Sequence, residues 1–309
     1  MVHPWSLESV AATSATNERL GVGSDKRACI PRRRRQTVRM VGESEPAEDA
    51  RNGKSVSREH AIVGRALAAF LVRSERLRWN PEAVLAAASM PPAESLTEPE
   101  ALALEALAAI EDALPVYIQE YFRLLVATSA SLDEELRNRT LLSFVYAWAP
   151  EEDRHYRAIM AFLARLGDGA VRRAEEYLWR QRQMPFAFPT RSIPATLAYL
   201  AIQERATHNY YGGLARRLGR SALAAILRRM SVDEASHCSF FVGVLRGLAQ
   251  IDAESVSRAL DAVTQDFHMP LQDSLLNRRR RLAALGEWLP NYSPRTAMLQ
   301  VAHQIGVRP

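Results

Sequence analysis

The sequence predicts an all-α fold, a four-helix bundle with additional flanking helices, and three observations carry that expectation. Hydrophobic residues make up 48% of the chain and only 14 of its 309 residues are Gly, while long stretches rich in Ala, Leu, Arg and Glu favour helix over strand. Four long segments repeat apolar residues with a helical period, so each can turn one stripe towards a core. Two of the four carry Glu-x-x-His, in PEEDRHYRAI from Pro150 and SVDEASHCSF from Ser231. A spacing of three places both side chains on one helix face, one turn apart.

Taken in order, residues 1–55 have low hydrophobicity, no sustained period and an Arg run at 32–35. They read as a disordered tail ahead of one helical domain over residues 56–309, with Met40 as an alternative start. From Ser57, an N-cap type, the run to Trp79 reads as a first helix ended by Asn80-Pro81, and residues 82–97 as a connection. The segment from about Glu98 to Val126 carries Glu111 on the stripe of Leu104, Leu107, Leu114, Ile118 and Phe122. In the next, Glu152 shares a face with Leu141, Phe144, Val145, Trp148, Ile159 and Phe162. Pro150 inside that segment costs about 3 kcal/mol if unrelieved and predicts a kink. The segment opened by Ser192 and Pro194 carries Glu204 on the stripe of Leu197, Leu200, Thr207 and Tyr211, and the last places Glu234 with Leu223, Ile226, Leu227, Met230, Phe241, Val242 and Leu245. Extra helices are expected from residue 168 and after residue 250.

The order is therefore Glu, Glu-x-x-His, Glu, Glu-x-x-His, with intervals of 152 − 111 = 41 and 234 − 204 = 30 residues. A ferritin-like dimetal site takes one Glu from each of two helices and a Glu-x-x-His from each of two others. Two such helix pairs can be related by an approximate two-fold axis. Four carboxylates on apolar stripes require compensating positive charge, and two metal ions supply it. Carboxylate and imidazole donors without thiolate suit iron or manganese better than a structural zinc site. The competing reading puts some of these Glu at stripe edges, paired with Arg154 or Arg205.

Composition narrows the function classes. Residues 1–55 hold 10 basic and 7 acidic side chains, a net +3 of the formal +5, leaving +2 for the rest; charge gives a nucleic-acid role no support. Two cysteines, Cys29 and Cys238, are too few for a disulfide framework and suit a reducing cytoplasm. No apolar run reaches the length of a membrane span, and the first 20 residues lack a secretory pattern. Lys occurs only at positions 26 and 54, an Arg bias associated with GC-rich bacterial genomes.

At this point six short stretches, in order, resemble the soluble acyl-ACP desaturases, the stearoyl-ACP desaturase family of plants and its bacterial relatives. WNPEAVL resembles that family's Trp-x-Pro segment, EDALPVY its EEALPTY, EEDRH its EENRH, QERAT its QERAT, DEASH its DEKRH and HMP its SMP. The resemblance covers most of the chain after about residue 57. It implies that Glu111, Glu152, His155, Glu204, Glu234 and His237 hold two Fe ions (Fe2+/Fe3+), with Glu152 and Glu234 bridging. It further implies that Asp233 hydrogen-bonds the far nitrogen of His155, that Trp79 extends this line towards the surface as an electron route, and that Thr207 lies beside the oxygen-binding position. A Trp at a helix end also simply packs, and a Thr on a core face also bonds its own backbone. The implied activity is O2-dependent introduction of a double bond into a long acyl chain on acyl carrier protein, with electrons from ferredoxin, in a cytoplasmic homodimer. A related di-iron oxygenase, a hydroxylase or N-oxygenase, would keep the same six ligands and is the alternative. Ile110 departs from a Thr before the first ligand and Ala235-Ser236 from a charged pair; neither is a ligand. The Arg run at 278–281, after HMP, is a candidate docking patch for the acidic carrier protein.

Overall fold

Helix boundaries follow the punctuation of the sequence. The computed structural model describes residues 58–88, 96–186 and 191–306; the expectations for residues 1–55, Met40 and Ser57 lie outside the described residues. Among those residues there are eleven helices and no strand: α1 Arg58–Leu77, α2 Pro81–Ala87, α3 Glu98–Asp112, α4 Leu114–Leu125, α5 Leu132–Leu166, α6 Asp168–Gln181, α7 Ile193–Leu218, α8 Ala222–Ala249, α9 Ala253–Gln265, α10 Arg278–Trp288 and α11 Pro294–Ile305. Ser131, Ser192 and Ser221 open α5, α7 and α8, each side chain accepting a backbone N–H three residues on. Thr97 and Glu100 form a capping box at the start of α3.

Two expected boundaries are corrected. Asn80-Pro81 ends α1 but also starts a helix: the Asn80 side chain accepts the Ala83 N–H at 3.0 Å and Pro81 occupies the first turn, where its missing N–H costs nothing. Part of the expected connection over 82–97 is therefore α2. The segment read as one helix from Glu98 to Val126 is two. Pro115 has no N–H for the Glu111 carbonyl and its ring crowds that carbonyl, so α3 stops at Asp112 and α4 restarts at Leu114. By contrast, α5 continues unbroken through Pro150 for 35 residues. Pro150 and Tyr146, whose carbonyl loses its donor, are both exposed, so water can replace the missing bond.

The buried apolar side chains form two clusters, and every bundle helix, counting α3–α4 as one, contributes to both. One cluster takes Leu104 and Leu107 of α3, Ile159 and Phe162 of α5, Tyr211 and Leu214 of α7, and Leu223 to Met230 of α8. The other takes Tyr117 and Tyr121 of α4, Phe144 and Trp148 of α5, Leu197 and Leu200 of α7, and Phe240 to Leu245 of α8. Chain order shows that α5 and α7 run one way and α3–α4 and α8 the other, so α5 returns to the start of α7 by a crossover that includes α6. This is a ferritin-like bundle with flanking helices. The stretch between the clusters holds Glu111, Glu151 to His155, Glu204 and Asp233 to His237, so a polar band crosses the core at one level. α1 closes the bundle against α5 and α8. It approaches α8 so closely that a Cβ on Gly247 would lie 2.3 Å from Ile62 Cγ2; only Gly fits there.

Candidate metal centre

The polar band gathers the six expected ligands. Glu111 lies in the last turn of α3, Glu152 and His155 stand in the middle of α5, Glu204 in α7, and Glu234 and His237 in α8. Two groups of four form, Glu111, Glu152, His155 and Glu234, and Glu152, Glu204, Glu234 and His237, with the donor atoms of each within 4.8 Å of one another. Glu152 and Glu234 belong to both. His155 Nδ1 lies 3.6 Å from Glu111, 3.8 Å from Glu152 and 3.4 Å from Glu234. His237 Nδ1 lies 2.9 Å from Glu152, 3.6 Å from Glu204 and 3.1 Å from Glu234. Both imidazoles are wholly buried, and so, nearly, are Glu111, Glu204 and Glu234. The stripe-edge alternative fails on partners: Arg154 lies 3.6 Å from Glu151 rather than Glu152, and Arg205 bonds Gln304.

Behind each imidazole stands a second carboxylate. His155 Nε2 is 3.2 Å from Asp233 Oδ2, which also accepts the Trp79 indole N–H at 2.7 Å. The Trp79 and His155 rings stack with centroids 6.5 Å apart, and the Arg154 guanidinium covers the indole. On the other side His237 Nε2 is 2.9 Å from Glu151 Oε2, and Glu151 Oε1 accepts the Ser74 hydroxyl at 2.5 Å. Glu151 thus does for His237 what Asp233 does for His155. Sequence reasoning assigned Asp233 alone, although the signal was present: an acid immediately precedes the ligand Glu in both motifs. Such outer carboxylates hold the far N–H of each ring and leave Nδ1 facing inwards.

Tyr211 is a second residue that the stripe placed without a role. It is 1% exposed and its hydroxyl donates to Glu111 Oε1. Thr207, one turn after Glu204, donates to the Gln203 carbonyl of its own helix at 3.0 Å.

The electrostatics show a band crowded with carboxylates. Burial, with the charge of Glu204 added, pushes Glu152 up to about 7; burial, Glu152 and Glu204 push Glu234 well above the usual carboxylate range. Burial would raise Glu204 as well, but hydrogen bonds from Glu234 and His237 hold it low. Burial would also lower both imidazoles, yet the surrounding carboxylates outweigh it and raise His155 and His237 well above 6.5. His155 Nδ1 and Glu204 Oε1 are buried without a hydrogen-bond partner, and every inward donor is a carboxylate oxygen or an imidazole nitrogen. The set fits two divalent cations.

Two apolar cavities flank the band along α7. One, of ≈ 30 Å³, is lined by Leu107, Ile110, Thr207, Tyr211, Met269 and Leu285 among others; the other, also of ≈ 30 Å³, by Tyr121, Phe144, Leu197 and Leu200 among others. Glu204 lies between Leu200 and Thr207, a separation of about 10 Å along the helix. The first cavity shares Met269, Pro270 and Gln272 with a wider surface groove that also holds Arg191, Asp266 and His268. The Arg run at 278–281 is mostly engaged within the chain. Arg281 is buried 2.9 Å from Glu105 and over the Tyr177 ring, Arg278 lies 2.7 Å from Asp273, and Arg280 pairs with Glu98.

A sequence model described as fatty acid desaturase matches residues 86–282. The X-ray structure of DesA2 from Mycobacterium tuberculosis H37Rv, a candidate acyl-ACP desaturase, has a similar fold, with a TM-score of 0.56 over 81% of this chain and 95% of that one at 15% identity. No curated protein matches the sequence significantly. Among the described residues, no helix is long and apolar enough to cross a membrane.

Proposed function

The chain belongs to the fatty acid desaturase family, and from that premise we propose that it is an O2-dependent di-iron desaturase acting on a long acyl chain carried by acyl carrier protein, with electrons from ferredoxin. The observation that carries the reading is an apolar cavity whose wall, at Thr207 and Tyr211, abuts a buried cluster of four Glu and two His. Ferredoxin, the homodimer and the cytoplasmic location rest on the family resemblance.

Glu111 with His155 and Glu204 with His237 would each hold one ion, and Glu152 and Glu234 would serve both. Bound iron supplies the chemistry that the side chains lack, activation of O2 and removal of hydrogen from an unactivated methylene. The chain's own residues do the rest. Asp233 and Glu151 keep the far N–H of each imidazole occupied, which aims the Nδ1 lone pairs at the ions. The apolar side chains of this cavity would part to line an extended acyl chain, exclude water and fix which carbons lie beside Thr207. Trp79, Asp233 and His155 form a hydrogen-bonded line from the centre to a surface groove lined by Ser74, Arg78, Trp79, Arg154 and Arg157.

Mass spectrometry of acyl-carrier substrates of several lengths, after incubation with the iron-loaded protein, reduced ferredoxin and O2, tests the reading. Loss of two hydrogens is expected. Gain of an oxygen without that loss on any acyl chain moves the assignment to a related di-iron oxygenase, and no change on any chain overturns the acyl substrate.

A further inference from the structure

The cavity beside Thr207 is closed and small. Its ≈ 30 Å³ has room for about two waters, whereas the groove outside it measures ≈ 420 Å³, so an acyl chain reaches the centre only if a wall opens. The helical walls are bolted to one another. Tyr210 of α7 donates to the Leu285 carbonyl of α10, Tyr292 to the Ala206 carbonyl of α7 and Arg281 of α10 to the Leu102 carbonyl of α3, all at 3.0 Å. The segment between α9 and α10 is different: it is non-helical, and its Met269, Pro270 and Gln272 line the cavity on one side and the groove on the other. Among the described residues, its hydrogen bonds to the bundle lie at its two ends. The Tyr199 hydroxyl of α7 donates to the His268 carbonyl at 3.1 Å. At the far end the buried Gln181 of α6 donates to the Ser274 carbonyl at 2.9 Å and accepts the Leu276 N–H at 2.7 Å.

Between those ends the turn is held mainly by itself. The Met269 N–H donates to Gln272 Oε1 at 3.2 Å and the Gln272 N–H to the Met269 carbonyl at 3.1 Å, while the Leu271 carbonyl accepts from Ser274 and Leu275 at 3.0 and 2.9 Å. Leu271 sits at φ 59°, a left-handed conformation that a leucine rarely adopts, so the closed turn stores strain that opening releases. The one ion pair it makes, Asp273 with Arg278 at 2.7 Å, is at the surface and adds little. We propose that residues 269–273 form a door through which the acyl chain enters the cavity, with hinges at His268 and Ser274 and with Gln272 as its latch. The proposal rests on the acyl reading above. Swung towards the groove, Met269 and Pro270 keep an apolar face to the passing methylenes, and both hinges stay fastened to α6 and α7.

Two measurements on the full-length, iron-loaded protein test the door. In stopped-flow binding of cis-parinaric acid, an unbranched chain that fluoresces when it leaves water, Gln272→Ala should speed entry and exit together by roughly two- to tenfold, the worth of one hydrogen bond. Gln272→Glu, which still accepts from Met269, should stay near the wild-type rates, and a thermal melt establishes that both variants are folded. In hydrogen exchange of the wild type, which needs no variant, the amides of Gln272, Ser274 and Leu275 should exchange faster than those of α10, and the Leu276 amide at the hinge should stay protected. Wild-type rates in Gln272→Ala, or a turn that exchanges no faster than α10, overturn the door and leave the acyl reading intact. Failure of the wild type to bind either the free chain or a long-chain acyl carrier overturns both.

Discussion

The half of the centre built on Glu111 and His155 and the half built on Glu204 and His237 use the same residue types but are finished differently. Behind His155 stand Asp233 and the Trp79 indole; behind His237 stand Glu151 and the Ser74 hydroxyl. Glu111 takes the Tyr211 hydroxyl, whereas Glu204 Oε1 has no partner. The repeated Glu-x-x-His motifs make the inner set symmetric, since each ligand pair needs only one helix turn. The outer carboxylates Asp233 of α8 and Glu151 of α5 still match, but Ser74 of α1 and Trp79 of the segment after it occur once, and they break the symmetry. One half is linked to the surface through an aromatic ring, the other through a hydroxyl.

The comparison breaks first, and most severely, at the shared ligands. Glu234→Ala removes a donor from both halves and should abolish tight iron binding, whereas His237→Ala should lose at least one of about two irons per chain, measured by metal analysis. A single zinc in the purified wild type would end the di-iron reading. One step out, Glu151→Gln and Asp233→Asn should each weaken ferrous ion binding or activity about 10–100-fold, because each leaves its imidazole without its anionic anchor. If Asp233→Asn alone has that effect, the equivalence of the two carboxylates is wrong. Further out the halves should diverge: Trp79→Phe should slow reduction by ferredoxin roughly tenfold at unchanged iron content, and Ser74→Ala should change it by less than about twofold in the same stopped-flow assay. The smallest effect is on stability. Chelation should lower the melting temperature by several degrees, since an ion at a hundred times its Kd contributes about 2.7 kcal/mol and 1 kcal/mol is worth about 2–4 °C for a domain of this size. An unchanged melt would mean that the ligands do not depend on the ions.

What the sequence disclosed follows range. A carboxylate on an apolar stripe is visible within one helix, so all six inner positions could be read and the structure brings those side chains together. The helix break at Pro115 was also local and was passed over, because the apolar period continues across it. Glu151 was legible by comparing the two motifs. Tyr211 was not, because its partner Glu111 is 100 residues away and a tyrosine on a stripe reads as packing. Arg281 likewise read as part of a surface run. Its burial depends on Glu105 and Tyr177, which only the packing of α10 on α3 and α6 brings near.

The break at Pro115 gives the centre an uneven stiffness. Glu152, Glu204 and Glu234 are fixed mounts, each set in the interior of a rod of 26 to 35 residues. Glu111 sits at the last turn of its rod, where the backbone ladder stops and residues are least restrained. It is the pivot, and the Tyr211 hydroxyl is the strut that braces it. Any adjustment of the centre would therefore be taken up at the pivot, on the wall of the cavity lined by Ile110 and Tyr211.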